Sequence, residues 1–397
     1  MKLRLFRPED VRGKNVLVRV DFNVPMQKGQ VTDTTRICAH LATLKALRDG
    51  GARLGLVSHL GRPKGTRNME YSLSPVAKAL EKLSGWPVSM AGDCVGPEVS
   101  QALASMPEGA LLMLENVRFH PEEERNDASF AKQLATPFDV FVMDAFSAAH
   151  RAHASTRGVA DLLPAFAGEL MRKELDALGA VRDHPKHPFV LILGGAKVSD
   201  KIGVIENMLG HVDSILVGGG MAFTFLKAQG KEIGKSLCEA EKLDFSREML
   251  DRAREKGIDF LLPEDAVVAP ELKDGVLGAV VSADAMPEGQ MGLDIGPRTA
   301  DRFAQALKSA QTVLWNGPMG VFEIPAFSEG SQKIARAMVE ATARGALTVV
   351  GGGDSAAAIA QFGLEKGVSH VSTGGGASLE FFEGLPLPGV EPLLEPE

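Results

Sequence analysis

Three features of this sequence predict an α/β protein built as two parallel-sheet halves. Short, almost wholly apolar runs such as Val140–Asp144 and Phe189–Leu193 lack the in–out alternation of a one-faced sheet, so they read as strands buried on both faces. Stretches of helical period fall between such runs. The alternation pauses mid-chain at a proline-punctuated turn, His184-Pro185-Lys186-His187-Pro188, and then restarts. Strand and helix in alternation imply parallel sheets with right-handed crossovers.

In the first half the strands are Asn15–Val20, Arg53–Ser58, Ala110–Leu114 and Val140–Asp144. Between them, Thr34–Asp49 carries Ile37, Leu41, Leu44 and Leu47 at helical spacing, and Ser74–Ser84 has Pro75 at its first position, a favoured place for proline. Ala165–Arg182, with Leu170, Leu175 and Leu178 on one face, reads as a helix connecting the halves. The second half offers Phe189–Leu193, Ser214–Val217, Asp259–Leu262, Thr312–Trp315, a strand from Leu347, and His370–Thr373. A helix starts near Met221, and the closing LPLPGVEPLLEPE reads as an irregular tail.

At 397 residues the chain has room for two or three domains. Its net charge of −8 argues against a nucleic-acid binder that works by bulk electrostatics. No apolar run approaches a membrane span, and the N-terminal MKLRLFRPEDVRGKN lacks the apolar core of a signal peptide. Cys38, Cys94 and Cys238 lie far apart and form no metal or redox motif, so they are expected to be buried small hydrophobes in a reduced, cytoplasmic protein.

Each strand of the first half runs into polar residues. Asp21-Phe22-Asn23 follows the first, His59-Leu60-Gly61-Arg62 the second, Glu115-Asn116-Val117-Arg118 the third, and Asp144 with His150-Arg151-Ala152-His153 the fourth. Ligands of open parallel sheets bind outside the strands' carboxyl ends. Any one arginine there could be a solvated charge, but the set points to a cationic pocket for a small, multiply anionic substrate. Arg36 adds a cation in a first helical turn, which the macrodipole disfavours by roughly 0.3–1 kcal/mol. A bound anion would compensate it.

The second half ends its strands in glycines: Gly194-Gly195 before Lys197 and Lys201, Gly218–Gly220, Gly351–Gly353, and Gly374–Gly376. Four such clusters suggest a nucleotide laid across the sheet edge, because glycine lets a ligand approach the backbone. In Leu347–Ala360 (LTVVGGGDSAAAIA) a strand feeds a glycine turn into a helix, leaving N–H groups aimed at an anion. Asp354 beside them hints at Mg²⁺ between carboxylate and phosphate. The competing reading is that Asp354 only caps the helix. Lys197 and Lys201 read either as exposed lysines or as ligands of phosphate oxygens. A Walker-type loop is absent: Gly230–Ser236 has one residue too few between its glycines and follows a helix. Gly351–Ala356 fits the dinucleotide fingerprint formally, but the next strand ends without an acidic residue for a ribose.

Several longer strings resemble one family. VLVRVDFNVP (Val16–Pro25), SHLGRPKG (Ser58–Gly65), LMLENVRF (Leu112–Phe119), AHRAHAS (Ala149–Ser155), GGAKVSDKI (Gly194–Ile202), WNGPMGVFE (Trp315–Glu323), GGGDS (Gly351–Ser355) and STGGGASLE (Ser372–Glu380) are similar, in order, to signatures of phosphoglycerate kinases. The resemblance implies two Rossmann-like domains, each a parallel sheet flanked by helices, joined by a hinge helix. The expected boundaries are 1–170 with a returning tail 383–397, the hinge at 171–184, and 185–382. It implies phosphoryl transfer between ATP and 3-phosphoglycerate, giving ADP and 1,3-bisphosphoglycerate, with Mg²⁺ carried by the nucleotide, in a cytoplasmic monomer. Asp21, Asn23, Arg36, His59, Arg62, Arg118 and Arg151 would then hold the phosphoglycerate. Arg36 and Lys197 would act on the transferring phosphoryl group, with backbone from Gly374 and Gly375. Lys201, Gly292, Gly352, Gly353, Asp354 and Ser355 would meet the nucleotide, Glu323 its ribose, and Asp354 the metal. One departure stands in the chain: Ser147-Ala148 replaces the family's usual Gly-Thr. The alternative from another class is a non-catalytic sensor of a sugar phosphate and a nucleotide, which would not need charges at a reacting phosphoryl. The enzyme reading also expects motion about the ends of the connector, near Leu163-Pro164 and His184-Pro185, and about the tail after Phe382.

Overall fold

The computed structural model describes residues 2–395, which group into two compact units. The first runs through Asp176 and takes in the closing segment from Pro386; the second is Ala177–Leu385. Pro396 and Glu397 of the expected tail lie outside the described residues.

Six strands make the sheet of the first unit: β1 (Asn15–Arg19), β2 (Arg53–Val57), β3 (Val88–Met90), β4 (Leu111–Met113), β5 (Val140–Met143) and β6 (Ala165–Ala167). Their order is β3-β4-β2-β1-β5-β6 and every pairing is parallel. Val16, Leu17 and Val18 are all 0% exposed, so consecutive side chains on opposite faces are both buried, as an apolar strand without alternation requires. Each such side chain contributes roughly 1.5–3 kcal/mol. The chain leaves β1 toward β2 and later returns to place β5 on the other flank. Loops diverge there, which opens a crevice at the carboxyl ends.

Two local expectations change. Ala165–Arg182 is not one helix: Ala165–Ala167 pairs with Phe141–Met143, and the helix is Glu169–Asp183. Ala165 and Ala167 are buried, and the sheet offers their backbone partners that a helix start could not. Pro75 takes the second position of the Ser74–Ser84 helix rather than the first. The tail holds to its own unit: the Gly389 N–H donates to Ala149 O at 2.8 Å, and Leu394 bridges Leu3.

The second unit repeats the plan with β7 (Phe189–Leu193), β8 (Ser214–Val217), β9 (Asp259–Leu261), β10 (Asp265–Ala269), β11 (Ala279–Ser282), β12 (Met291–Ile295), β13 (Thr312–Asn316), β14 (Leu347–Gly351) and β15 (His370–Val371). One parallel sheet has the order β9-β8-β7-β13-β14-β15, with its change of direction at β7 and β13. A second, antiparallel sheet β11-β10-β12 was not anticipated, because its strands follow one another without an intervening helix.

The cysteine expectation fails in part. Cys94 is buried, but Cys38 and Cys238 are exposed. Folding also brings Cys94 beside Asp93 and His120, a grouping with metal-ligand chemistry that linear spacing did not reveal. There His120 Nε2 lies 2.7 Å from Asp93 Oδ1. Among the described residues no helix is long and apolar enough to cross a membrane.

Candidate functional site

In the first unit, Asp21, His59, Arg118 and Arg151 all follow strand ends, and the structure brings His59 within electrostatic reach of the other three. Asp21, 5% exposed, pairs its carboxylate with the Arg36 guanidinium and accepts the Ser147 hydroxyl. Burial alone would raise its pKa; the Arg36 charge and the hydrogen bonds from Ser147 and the Asn23 backbone N–H outweigh burial and hold it below the usual carboxylate range. The first-turn cation Arg36 is thus compensated partly from within the protein. The Thr35–Asp49 helix has no acidic residue in that turn to do so. Asn23 accepts the Gly61 N–H at 2.8 Å, which fixes the turn after β2.

His59 is buried beside Arg19, whose Nη2 lies 3.1 Å from His59 Nδ1. A guanidinium only donates, so Nδ1 accepts and the ring proton sits on Nε2. Burial first, and Arg19 next, push the His59 pKa well below its ordinary value, so the ring is a neutral donor at neutral pH. Arg19 is locked by Ser155 Oγ at 2.9 Å, and Ser155 donates to the buried Glu123 at 2.5 Å. Arg118 is 7% exposed, donates to Gly61 O at 3.1 Å, and is influenced by the charges of Arg62 and Arg151. Arg62 and Arg151 are exposed. The result is a rim of cations over a buried, hydrogen-bonded floor, with affinity for a compact polyanion.

In the second unit the change of direction between β7 and β13 is closed by backbone. The Gly194 N–H donates to Asn316 O at 2.9 Å and the Gly195 N–H to Pro318 O at 3.0 Å. A Cβ on Gly194 would lie 2.1 Å from Pro318 O, so only glycine fits. Beside these turns is a largely apolar cleft of about 320 Å³ whose lining includes Gly195, Gly219, Leu237, Gly292, Phe322, Glu323 and Asp354. Its walls suit a flat ring system, with polar groups at the edges.

The expected phosphate-side residues gather next to it. Lys201 sits at the start of the Ile202–Met208 helix with Nζ 2.5 Å from Asn316 Oδ1, and burial lowers its pKa. Asp354 is among the charges that oppose that shift. Lys197, by contrast, is exposed. The helix after β14 starts at Gly353 with Gly352 as N-cap, so Asp354 is a first-turn residue and not the cap. The cap-only reading of Asp354 is therefore overturned, and its carboxylate is exposed. Ser355 spends its hydroxyl internally, donating to Gly351 O and accepting the Gly317 N–H, both at 2.7 Å; its backbone alone remains for a ligand. Gly374 and Gly375 lie in the turn before the Gly376–Phe382 helix, and Ser378 of that helix packs near Gly351.

Four participants escaped sequence reasoning as site residues: Arg19, His40, Ser147 and Asn316. His40 follows Ile37 by three and precedes Leu44 by four, so a polar residue on a buried stripe was the available signal. Asn316 has a buried Nδ2 without a hydrogen-bond partner among the described residues, beside the spot where a Cβ on Gly352 would fall at 3.1 Å. An orphaned donor at a glycine turn fits a phosphate oxygen, and one exposed carboxylate nearby fits the single protein ligand that a nucleotide-borne Mg²⁺ needs.

Fold and sites together define an α/β protein with a cation-rimmed anion site in one unit and a glycine-walled cleft in the other. Its sequence matches the profile of the phosphoglycerate kinase family over residues 7–385, and the chain belongs to that family. It is 55% identical to the phosphoglycerate kinase of Dictyoglomus turgidum over 384 residues, 97% of this chain and 96% of the relative. It is 56% identical to that of Moorella thermoacetica over 386 residues, covering 97% and 98%. Among solved structures, phosphoglycerate kinase from Coxiella burnetii superposes with a TM-score of 0.87 at 43% identity, covering 97% of each chain. The Pyrococcus horikoshii enzyme gives 0.84 at 32% identity, covering 98% of each.

Proposed function

We propose that this protein catalyses reversible phosphoryl transfer between ATP and the carboxylate of 3-phosphoglycerate, yielding ADP and 1,3-bisphosphoglycerate. The observation that carries this reading is the clustering of cations at the strand ends, in a chain of this family: Arg36 pairs with Asp21, Asp21, Arg118 and Arg151 act on His59, and Arg62 and Arg151 act on Arg118. Family membership favours the enzyme over a non-catalytic sensor.

In this reading Arg36, Arg62, Arg118 and Arg151 hold the substrate's anionic groups, and neutral His59 donates from Nε2. Asn23 holds the loop, and Asp21 orients Arg36 while accepting the substrate hydroxyl. A carboxylate oxygen of the substrate attacks the γ-phosphorus, and the bond to the β–γ bridging oxygen breaks. No general base is required, since the carboxylate is ionised near neutral pH, and no protein nucleophile intervenes. Arg36 and Lys197 meet the charge on the phosphoryl group in flight, with N–H groups of Gly374 and Gly375. Lys201 and the first-turn N–H groups of Gly353, Asp354 and Ser355, beside Gly352, hold the nucleotide phosphates. Gly292 lines the base cleft and Glu323 takes the ribose. Asp354 would hold the Mg²⁺ of a bound Mg-nucleotide, which would supply charge neutralisation at the phosphates.

The enzyme is read as a cytoplasmic monomer with no nucleic-acid or membrane partner. Direct transfer needs reacting atoms about 3–3.5 Å apart, so the reading includes a hinge about the connector's ends. Small-angle scattering should find a smaller radius of gyration with both substrates than with either alone. An assay coupled to ATP-dependent consumption of 3-phosphoglycerate tests the whole reading; folded protein without turnover would end it.

A further inference from the structure

The Thr35–Asp49 helix carries a second polar residue one turn after Arg36. His40 is 1% exposed and is held at both ring nitrogens. Its Nε2 lies 2.9 Å from the backbone N of Asp21, and its Nδ1 lies 2.7 Å from Asp144 Oδ2. A backbone N–H can only donate, so Nε2 carries no proton. The proton is on Nδ1 and is donated to the Asp144 carboxylate. The ring is therefore neutral, in a single tautomer set by its two partners.

Both partners lead further. Asp21 is the residue that pairs with Arg36 and Ser147. Asp144 is 0% exposed, and its other oxygen accepts the N–H groups of Leu170 at 3.0 Å and Met171 at 3.4 Å. These are orphan donors in the first turn of Glu169–Asp183, the helix that leaves the first unit for the second. Thr43, one turn beyond His40, adds a parallel tie by accepting the Glu169 N–H at 2.9 Å. The packing leaves no slack, because a Cβ on Gly168 would meet Asp144 Oδ1 at 2.0 Å. An unbroken path of hydrogen bonds thus runs from Arg36 through Asp21, His40 and Asp144 to the start of the connecting helix.

We propose that His40 is a positioning residue for the acidic substrate: it pins the Asp21 main chain to Asp144, and so keeps the Arg36–Asp21 pair in register with the first turn of the connecting helix. The inference rests on the phosphoglycerate reading of the Arg36 site. It assigns His40 no contact with substrate and no proton to move.

The test is a set of substitutions assayed with both substrates varied. His40→Gln keeps an acceptor near the Nε2 position, so it preserves the Asp21 end only. His40→Asn keeps a donor near Nδ1, so it preserves the Asp144 end only. His40→Leu fills the space and preserves neither. The Michaelis constant for 3-phosphoglycerate should rise about tenfold in the Leu variant, where two buried partners lose their bonds. It should rise about threefold in the Gln variant and more than that in the Asn variant, since the substrate is felt at the Asp21 end. Thermal stability should rank the other way, Asn above Gln, because Asn keeps the buried Asp144 charge bonded. The constant for Mg-ATP should stay within about twofold throughout. A space-filling role would instead leave Leu nearest wild type in both readouts. If the Leu variant does not fold, the opposed rankings of Gln and Asn still decide. Unchanged phosphoglycerate constants with an active wild type, or equal rises for both substrates, overturn the role of His40 alone. A folded wild type without turnover overturns the functional reading, and this inference with it.

Discussion

In the first unit Arg36 is already paired with Asp21, Arg19 with Ser155, and His59 is held neutral by burial and by Arg19, whereas in the second unit Asn316 Nδ2 has no hydrogen-bond partner among the described residues and Asp354 is exposed. One site is a wired set of side chains. The other is mostly glycine backbone around a cleft, with few charges. The difference follows from what each must hold. Several cations crowded together repel one another and need a buried carboxylate or hydroxyl to fix each in place. Backbone N–H groups at a helix start are already fixed by the helix, so they need only glycine to let phosphate approach. Damage should therefore spread in the first unit and stay local in the second.

Arg36→Ala should show the largest effect, a loss of roughly 10³–10⁵ in kcat, as for other arginines that meet transition-state charge. It also strands Asp21, so adding Asp21→Asn should cost much less than the product of the two single losses. Strict multiplicativity in steady-state kinetics would break the picture of a wired site.

Next in size are the two lysines. Lys201→Met should weaken Mg-ADP binding and lower kcat by about 10²–10³, since it removes a buried cation from the phosphate side and unpairs Asn316 Oδ1. Lys197→Met, at an exposed position, should lower kcat with nucleotide affinity little changed. Titration calorimetry beside turnover assays separates them, and identical defects would refute the division.

Asp354→Asn sharpens the account of the second unit. Because Gly352 is the cap, the change leaves the helix start intact. Mg-ADP affinity should fall about tenfold, or ~1.4 kcal/mol, while affinity for metal-free ADP stays level or improves. Equal losses for both forms would remove the metal from Asp354.

The smallest expected effect concerns a carboxyl that, unlike Asp21, has no cation beside it among the described residues. Asp294 accepts N–H groups from Ile295 at 2.9 Å and Gly330 at 2.7 Å, yet burial outweighs them and pushes its pKa up to about 8. A group whose pKa is raised on folding contributes stability that is complete below the unfolded value and is lost as pH rises through the folded one. Between about pH 4 and pH 8, wild-type stability should therefore fall relative to Asp294→Asn. The difference in Tm should move steadily in favour of Asp294→Asn as pH rises across that range. A Tm difference independent of pH would show that Asp294 stays ionised in the fold.

Much was legible in the linear chain. Two-faced strands showed as unbroken apolar runs, because burial on both faces removes the need for polar alternation. The strand-end residues Asp21, His59, Arg118 and Arg151 could be placed because parallel sheets bind ligands at that end. Asp354 and the glycine turns followed from the chemistry of a helix start.

What only the tertiary structure decided are matters of partnership. No local rule says that Arg36 is answered by Asp21, that Ser147 adds a bond to the same carboxylate, that Ser355 has spent its hydroxyl on Gly351, or that Lys201 ends on Asn316. The strand Ala165–Ala167 exists because β5 offers it an edge, which its own residues do not announce. His40 shows the limit most plainly. Its helical position predicts burial, but its tautomer is set by a backbone N–H 19 residues earlier and a carboxylate 104 residues later. Periodicity and turn chemistry are properties of neighbours along the chain. Hydrogen-bond partners and pKa values belong to neighbours in space, and the fold alone chooses those.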